Sequence, residues 1–470
     1  MKNIDYFTGE TDYRDLPYAA AEEHLSSALR FKTVSYVDTT KIVYSEFLAF
    51  HDYLRKTYPA VFEAAEVEKI GYSLLVRIPG ADNTLKPALF MAHQDVVPVV
   101  PGTEKNWKHA PFSGDQAEGY IWGRGAMDIK EMLIAILESA EYLLSHGKSF
   151  RRSVYLFFGE DEETRSTGVM AAANRLLERG VRLEFVLDEG SGDVMDAVDY
   201  GAPGVPVCTI GLYEKGYVDM QLAVKSQGGH SSNPFHGTSL GILSRGIAAV
   251  LDHMPEAHVS DSVRETLKTL RPVMTDKRML AILDEGDDAA LLEWFLSREN
   301  LYHLVQTTAA PTMITGGSAA GNVMPQDMTA VINFRLTPFD TPESLLAHCK
   351  SLVDPRITLC NVQAIAASRP SDSSAYGYRS LVSVLSHYFE KLHFIPVQNR
   401  GATDARHFEK VSDCVLRFGP FLEEEDISAE GVHGTNERIS PRAFHQGIRV
   451  LVRLMEMTCI EVESEEEISE

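Results

Sequence analysis

Cysteine is scarce and unpaired in this chain. Cys208, Cys349, Cys360, Cys414 and Cys459 are odd in number and widely spaced, with no Cys-x-x-Cys. That argues against a disulfide framework and against a thiolate zinc site, and for free thiols in a reducing compartment. Long apolar runs are absent too; none approaches the ~20 residues of a membrane span. Residues 1–10 lack the apolar core of a secretory signal. The expectation is a cytoplasmic protein without a membrane partner. Basic charge is in deficit, 44 Lys and Arg against 67 Asp and Glu, for a formal net charge of -23. Such a chain is not drawn to nucleic-acid phosphates or anionic lipid. Most of the acidity reads as solvated surface, with some of it available to divalent cations. The acidic stretch from Glu461 to Glu470 reads as a frayed tail.

What is present is enough apolar residue for ordinary cores, 44% of 470 residues, and a length that calls for two or three domains. The first half alternates apolar strand-like runs (72–78, 88–92, 153–158, 183–187) with helix-spaced segments (45–58, 129–146, 166–179). This predicts an α/β domain with a mostly parallel sheet covered on both faces. From about Lys215 the pattern changes to strand 217–224, helix 238–253, strands 312–315 and 329–336, helix 343–352 and strand 357–364. That order, β-α-β-β-α-β, predicts a ferredoxin-like (α+β) insertion, interrupted by a charged helical segment at 255–308. The α/β pattern resumes after Arg369 with a helix at 378–391. The expected boundaries are a catalytic domain of residues 1–214 and 370–470 and an inserted domain of 215–369.

The groups able to do chemistry follow strand ends. His93 and Asp95 close one apolar run, Glu160 to Glu163 follow Phe158, and Asp188 follows Leu187. In open α/β sheets, ligands bind beyond the carboxyl ends of the strands. Taken singly, Asp128 reads as an N-cap, Glu160 to Glu163 as solvated charge and Asp188 as a turn residue. Their joint placement favours one site. A two-ion hydrolytic centre needs a His and a carboxylate for each ion, a shared carboxylate and a free carboxylate as base. The chain supplies that set.

Eight motifs then carry a resemblance: His93-Gln-Asp-Val-Val-Pro98, Gly123-Arg-Gly-Ala-Met-Asp-Ile-Lys130, Gly159-Glu-Asp-Glu-Glu163 with Gly168, Leu187-Asp-Glu-Gly190, Gly228-Gly-His-Ser-Ser232, Asn322-Val-Met-Pro325, Gly401-Ala-Thr-Asp404 and His433-Gly-Thr-Asn-Glu-Arg438. In this order they resemble the M20 family of metallopeptidases over nearly the whole chain. Glu214-Lys-Gly-Tyr217 and Thr307-Thr-Ala-Ala-Pro-Thr312 are most similar to its carboxypeptidase S and Gly-Xaa carboxypeptidase branch.

The resemblance implies a phosphorylase/hydrolase-like zinc-peptidase catalytic domain with an inserted lid and dimerisation domain. It implies two Zn2+ per subunit, with Co2+ or Mn2+ as alternatives. His93 and Asp188 would hold one ion, Glu163 and His433 the other, and Asp128 would bridge them. Asp95 would accept the remaining N–H of His93 and fix its tautomer. Glu162 would be the general base, and a cis peptide would follow Asp128. His230 would stabilise the oxyanion, in trans from a neighbouring subunit or in cis by domain closure. Asn322, Arg335 and Arg369 would contact a substrate carboxylate. The implied reaction is hydrolysis of an amide next to a C-terminal amino acid. An N-acyl-amino-acid amidohydrolase (aminoacylase or deacetylase) or a dipeptidase, with the same metal centre, is the alternative. The partners expected are a small peptide or N-acyl amino acid and a second copy of the chain.

Overall fold

Three short strands, Ala88–His93, Val154–Gly159 and Phe185–Asp188, are buried at every position. Strands that are apolar on both faces need cover on both, and they sit at the middle of a sheet. In the computed structural model, described over residues 6–399, 401–423 and 431–462, they do so. Most of the acidic tail, from residue 463, lies outside the described residues. The chain divides into two units. One comprises Met1–Ala197, Gly204–Leu212 and Ser371–Glu470; the other comprises Val198–Pro203 and Tyr213–Pro370.

The sheet of the first unit runs Glu66–Ile70, Ser73–Ile78, Val154–Gly159, Ala88–His93, Phe185–Asp188, Val415–Arg417, Pro206–Glu214, His393–Asn399. The central pairs are parallel, with His93 opposite Gly159 and Asp188 opposite Arg417. The pairs flanking them are antiparallel. The sheet is therefore mixed, and the expectation of a mostly parallel sheet holds only at its centre. On one side the flank starts in the hairpin Glu66–Ile78, turned at Gly71 with φ +62°.

On one face Leu89, Met91, Tyr155 and Phe157 pack against Val169, Ala172, Ala173 and Leu176 of the Thr167–Glu178 helix, whose three- and four-residue spacing makes one apolar stripe. The Lys130–Ser145 helix lies against the Ala88–His93 strand and the Pro441–Met455 helix, and is buried nearly all round. Parallel strands end in register, so the loops after His93, Gly159 and Asp188 leave from one edge. No helix among the described residues is long and apolar enough to cross a membrane.

The second unit holds a sheet ordered Thr308–Gly316, Asp327–Leu336, Gly216–Lys225, Ile357–Ile365, with every neighbouring pair antiparallel. Alternate residues, Val218, Met220, Leu222 and Ile332, Phe334, pack on the Ser239–Asp252 and Pro342–Leu352 helices. Thr341 starts the latter with a reciprocal cap to Ser344. Helices Asp261–Leu270, Lys277–Glu285, Asp288–Leu296 and Tyr302–Val305 fill the charged segment.

Candidate metal centre

Six of the predicted residues meet at the sheet edge of the first unit. His93 ends its strand almost fully buried, and its Nε2 lies 3.1 Å from Asp128 Oδ1. His433 Nε2 lies 3.0 Å from Asp128 Oδ2 and 3.0 Å from Glu163 Oε2. Each oxygen of Asp128 thus faces a different imidazole, which is what a shared ligand requires. Asp128 does not cap the helix after it; that position is taken by Ile129, and the Asp128–Ile129 peptide is cis. His433 has φ +56°, a left-handed backbone uncommon outside glycine and a recurrent mark of functional loops.

The fifth donor is not the residue expected. Glu189, not Asp188, approaches His93, at 3.4 Å from Nε2. His93, Asp128 and Glu189 form one group of possible ligands, and Asp128, Glu163 and His433 another; within each the ligand atoms lie within 4.8 Å of one another. Asp188, the last residue of its strand, turns its carboxylate to the N–H of Ala405 at 3.0 Å. Burial pushes Asp188 up to about 6.

Asp95 also differs in detail. The Nδ1 of His93 is held at 2.9 Å by the backbone carbonyl of Asp95, with the carboxylate farther off at 3.4 Å. That carboxylate is taken by other donors: the Ser35 hydroxyl at 2.6 Å and the N–H groups of Glu162 and Glu163 at 3.2 and 3.3 Å. Asp95 therefore fixes His93 through its backbone and the Glu162–Glu163 turn through its side chain.

The electrostatics test whether cations fit. Burial, and then the charge of Asp128, raise Glu163 to about 7. Burial also raises Glu189 to about 8, with His93 opposing and Asp128 adding to the shift. Glu162 is held well above the carboxylate range, by burial first, with Glu189, Asp404 and Glu163 adding to it. Asp128, although burial raises it, is pulled far below that range by hydrogen bonds from His433 and His93. The hydrogen bond that His433 gives to Asp128, more than any other cause, in turn lifts His433 to about 9. Carboxyls this close stay ionised together only with positive charge among them. The imidazole and carboxylate donors suit a divalent metal, whose binding would displace these protons.

Two residues inside the quoted motifs acquire a partner only in three dimensions. Glu437, fully buried, accepts from Arg124 Nη1 at 2.7 Å and from the N–H groups of Gly125, Met127 and Asp128 at 2.9, 2.9 and 3.2 Å. Arg124 Nη2 donates to the carbonyl of Gly434 at 2.8 Å. The loop carrying Asp128 is thereby tied to the loop carrying His433.

The remaining predicted residues belong to the second unit. His230 and Asn322 are neighbours, since Gly229–His230 pairs with Val323–Met324 and Ser231 N–H donates to Asn322 O at 3.0 Å. Nδ1 of His230 lies 2.8 Å from the Ser232 hydroxyl, and His230 is exposed. Arg335 is exposed on the open face of the sheet, and Arg369 is exposed near the end of the unit.

Imidazoles and carboxylates, from the buried His93 to the exposed His433, cluster at the edge of a mixed α/β sheet as a donor set that suits a divalent metal. The chain belongs to peptidase family M20/M25/M40, whose model matches residues 89–457. It is 33% identical over 444 residues to the N-fatty-acyl-amino acid synthase/hydrolase PM20D1 of Xenopus tropicalis, covering 92% of this chain and 85% of that protein. It is 32% identical over 471 residues to the probable carboxypeptidase S-like 2 of Dictyostelium discoideum, covering 97% and 87%. Among solved structures, the M20 family metallo-carboxypeptidase Sso-CP2 from Sulfolobus solfataricus superposes with a TM-score of 0.63 at 18% identity, over 93% of this chain and 98% of that one. Human carnosine dipeptidase 1 gives 0.59 at 16%, over 94% and 97%. These two likenesses establish the M20 peptidase fold.

Proposed function

We propose that the protein hydrolyses the amide bond that joins a glycyl group to an amino acid with a free carboxylate, as a Gly-Xaa carboxypeptidase. One observation carries the reading: two His-and-carboxylate groups share Asp128, with the half-buried Glu162 beside them. A second reading, hydrolysis of N-acyl amino acids, is favoured by the PM20D1 relative, whose name assigns it N-fatty-acyl amino acids.

His93, Asp128 and Glu189 would hold one zinc ion, and Asp128, Glu163 and His433 a second. Two such ions, when bound, supply Lewis acidity toward a water and an amide carbonyl. Glu162 takes the proton of the attacking water and passes it to the leaving amine. Asp95 holds Glu162 in place through its backbone N–H. His230 supplies a donor to the tetrahedral oxyanion. Asn322, Arg335 and Arg369 receive the carboxylate. The second unit acts as a ferredoxin-like lid and dimerisation domain; its β-α-β-β-α-β order and antiparallel sheet support that role.

The assignment of Glu189 separates two substitutions. Glu189→Gln is expected to weaken binding of one ion by at least about 10–100-fold, the scale seen even for residues behind the ligands. Asp188→Asn, measured on folded protein, should leave that affinity within a few-fold. Titration with a chromophoric zinc chelator measures both; the reverse ranking would return the role to Asp188. The activity is tested by offering zinc- or cobalt-loaded protein Gly-Xaa dipeptides and short- and long-chain N-acyl amino acids. Cleavage of the dipeptides is expected, and cleavage of N-acyl amino acids alone selects the second reading. Bound metal with neither class cleaved defeats both.

A further inference from the structure

The first unit holds a cavity of about 630 Å³, lined by Asp12 and Tyr13, by Val384 and His387 of the Tyr376–Tyr388 helix, and by Arg453 and Met457 at the end of the Pro441–Met455 helix. The metal loops lie at the other end of two helices. The Lys130–Ser145 helix starts just after Asp128, and the Pro441–Met455 helix follows the loop of His433 and Glu437. Ser139 Oγ donates to the Ile448 carbonyl at 3.3 Å, and further along Lys148 Nζ donates to Glu456 Oε1 at 2.9 Å, so the two helices run side by side in one direction. The first of them has 16 residues and is therefore about 24 Å long. The cavity is a site apart from the metals.

Two elements of its wall have uncommon backbone. Tyr13 has φ +49°, in the left-handed region that bulky side chains rarely adopt. Its carbonyl accepts from the Tyr18 hydroxyl at 3.0 Å, and its own hydroxyl donates to Glu456 Oε2 at 2.7 Å. Met457 sits in a π-helical turn, Glu456–Glu461, a form that recurs at functional sites. Opposite charges share the cavity. Asp12 Oδ2 lies 3.3 Å from His387 Nε2, and Arg453 Nη1 lies 3.2 Å from Glu461 Oε2 and 3.6 Å from Glu456 Oε2. Both Asp12 and Arg453 act on the hydroxyl of the fully buried Tyr388: burial raises its pKa most, Asp12 adds to the rise and Arg453 opposes it. Val384 and Met457, both almost fully buried, add apolar surface.

A cationic pocket alone suits an anion, and an acidic one alone suits an amine. A guanidinium, a carboxylate and an apolar wall in one cavity match a small molecule that carries all three complements. We infer that this cavity binds a free amino acid with an apolar side chain, as an effector of the metal centre. The planar fork of Arg453 receives its carboxylate, Asp12 its ammonium, and Val384 with Met457 its side chain. The two helices carry the effect, because they leave the loops of Asp128 and His433, which Glu437 ties together. Binding needs nothing from the proposed hydrolysis; an effect on turnover rests on it.

The probe is L-leucine, titrated calorimetrically into the metal-loaded protein, with leucinamide and isocaproate as analogues lacking the carboxylate and the amine. Leucine is expected to bind, and each analogue to bind about 10- to 100-fold more weakly, the scale of a charge-assisted hydrogen bond. Arg453→Met and Asp12→Asn should each weaken leucine by a similar factor. Ser383→Trp, which fills the cavity from its wall, should abolish binding while elemental analysis shows the metals retained. These substitutions lie on three separate elements, so a variant that does not fold leaves the other two to decide. Chelator competition reads the effector role: saturating leucine should shift the zinc affinity of the unaltered protein about fivefold or more, and leave that of Ser383→Trp unmoved. No binding of leucine up to about 10 mM overturns the site. So does binding that all three variants leave intact, which would place leucine at the metals as a product. Binding in the cavity with unchanged zinc affinity and unchanged turnover overturns the effector role. If no substrate is cleaved, the proposed hydrolysis fails, and calorimetry with chelator competition still decides this inference.

Discussion

Replacing Glu162 by Gln is expected to cut turnover about 10²–10⁴-fold while metal content stays at the wild-type level. Glu162 belongs to neither group of possible ligands, whereas its neighbour Glu163 does. Its backbone N–H is anchored on Asp95, and Gln keeps that anchor along with the size and shape of the side chain. What Gln removes is the capacity to take up a proton. Burial, with Glu189, Asp404 and Glu163 around it, holds the Glu162 carboxyl well above the ordinary range, the environment in which a carboxylate becomes a competent base near neutral pH. Glu163→Gln is the control. It should lose an ion and activity together, because Glu163 Oε2 and His433 Nε2 share one side of Asp128. Steady-state kinetics with elemental analysis distinguishes the two variants. Undiminished turnover in Glu162→Gln would remove it from the base role, and metal loss in step with activity would make it a ligand.

The strands that build the site were legible because apolar runs at a sheet centre leave little choice; Ala88–His93 and Val154–Gly159 fall where the residues predict them. Their flanking antiparallel partners were not, since pairing direction is set by connections rather than by composition. Asp188 and Glu189 show a sharper limit. Asp188 closes its strand and Glu189 opens the loop after it; the Asp188 carboxylate accepts from the Ala405 N–H, while that of Glu189 lies 3.4 Å from His93 Nε2. Which of the two acids lies beside His93 depends on where His93 and Asp128 point, and no local signal carries that. Asp95 illustrates the same limit at the scale of atoms: the pairing with His93 was readable, but its carbonyl makes the closer contact while its carboxylate holds the turn of Glu162 and Glu163. Arg124 and Glu437 lie 313 residues apart, each inside a motif already recognised, and only the fold makes them partners.

That last pair carries the largest expected effect on stability. Glu437→Gln is expected to lose about 3–5 kcal/mol, the cost of breaking a buried ion pair from one side. The side chains of Arg124 and Glu437 are 3% and 0% exposed, so water does not replace the missing partner. The amide presents one acceptor oxygen where the carboxylate presents two, and its NH2 faces the guanidinium as a second donor. One oxygen of Glu437 takes the N–H groups of Gly125, Met127 and Asp128, and the other takes Arg124. Whichever way the amide turns, one of these sets is left without an acceptor. The backbone of Asp128 and, through the Arg124 contact with Gly434, the residue after His433 both depend on this carboxylate. Loss of metal affinity should therefore accompany the loss of stability, and at both ions, because Asp128 is common to the two groups. Urea denaturation of the metal-free protein isolates the first effect, and chelator competition on folded protein the second. A normal urea midpoint would show that the pair contributes no net stability. Normal affinity at both sites, despite a lowered midpoint, would show that the loop keeps Asp128 in place without Glu437.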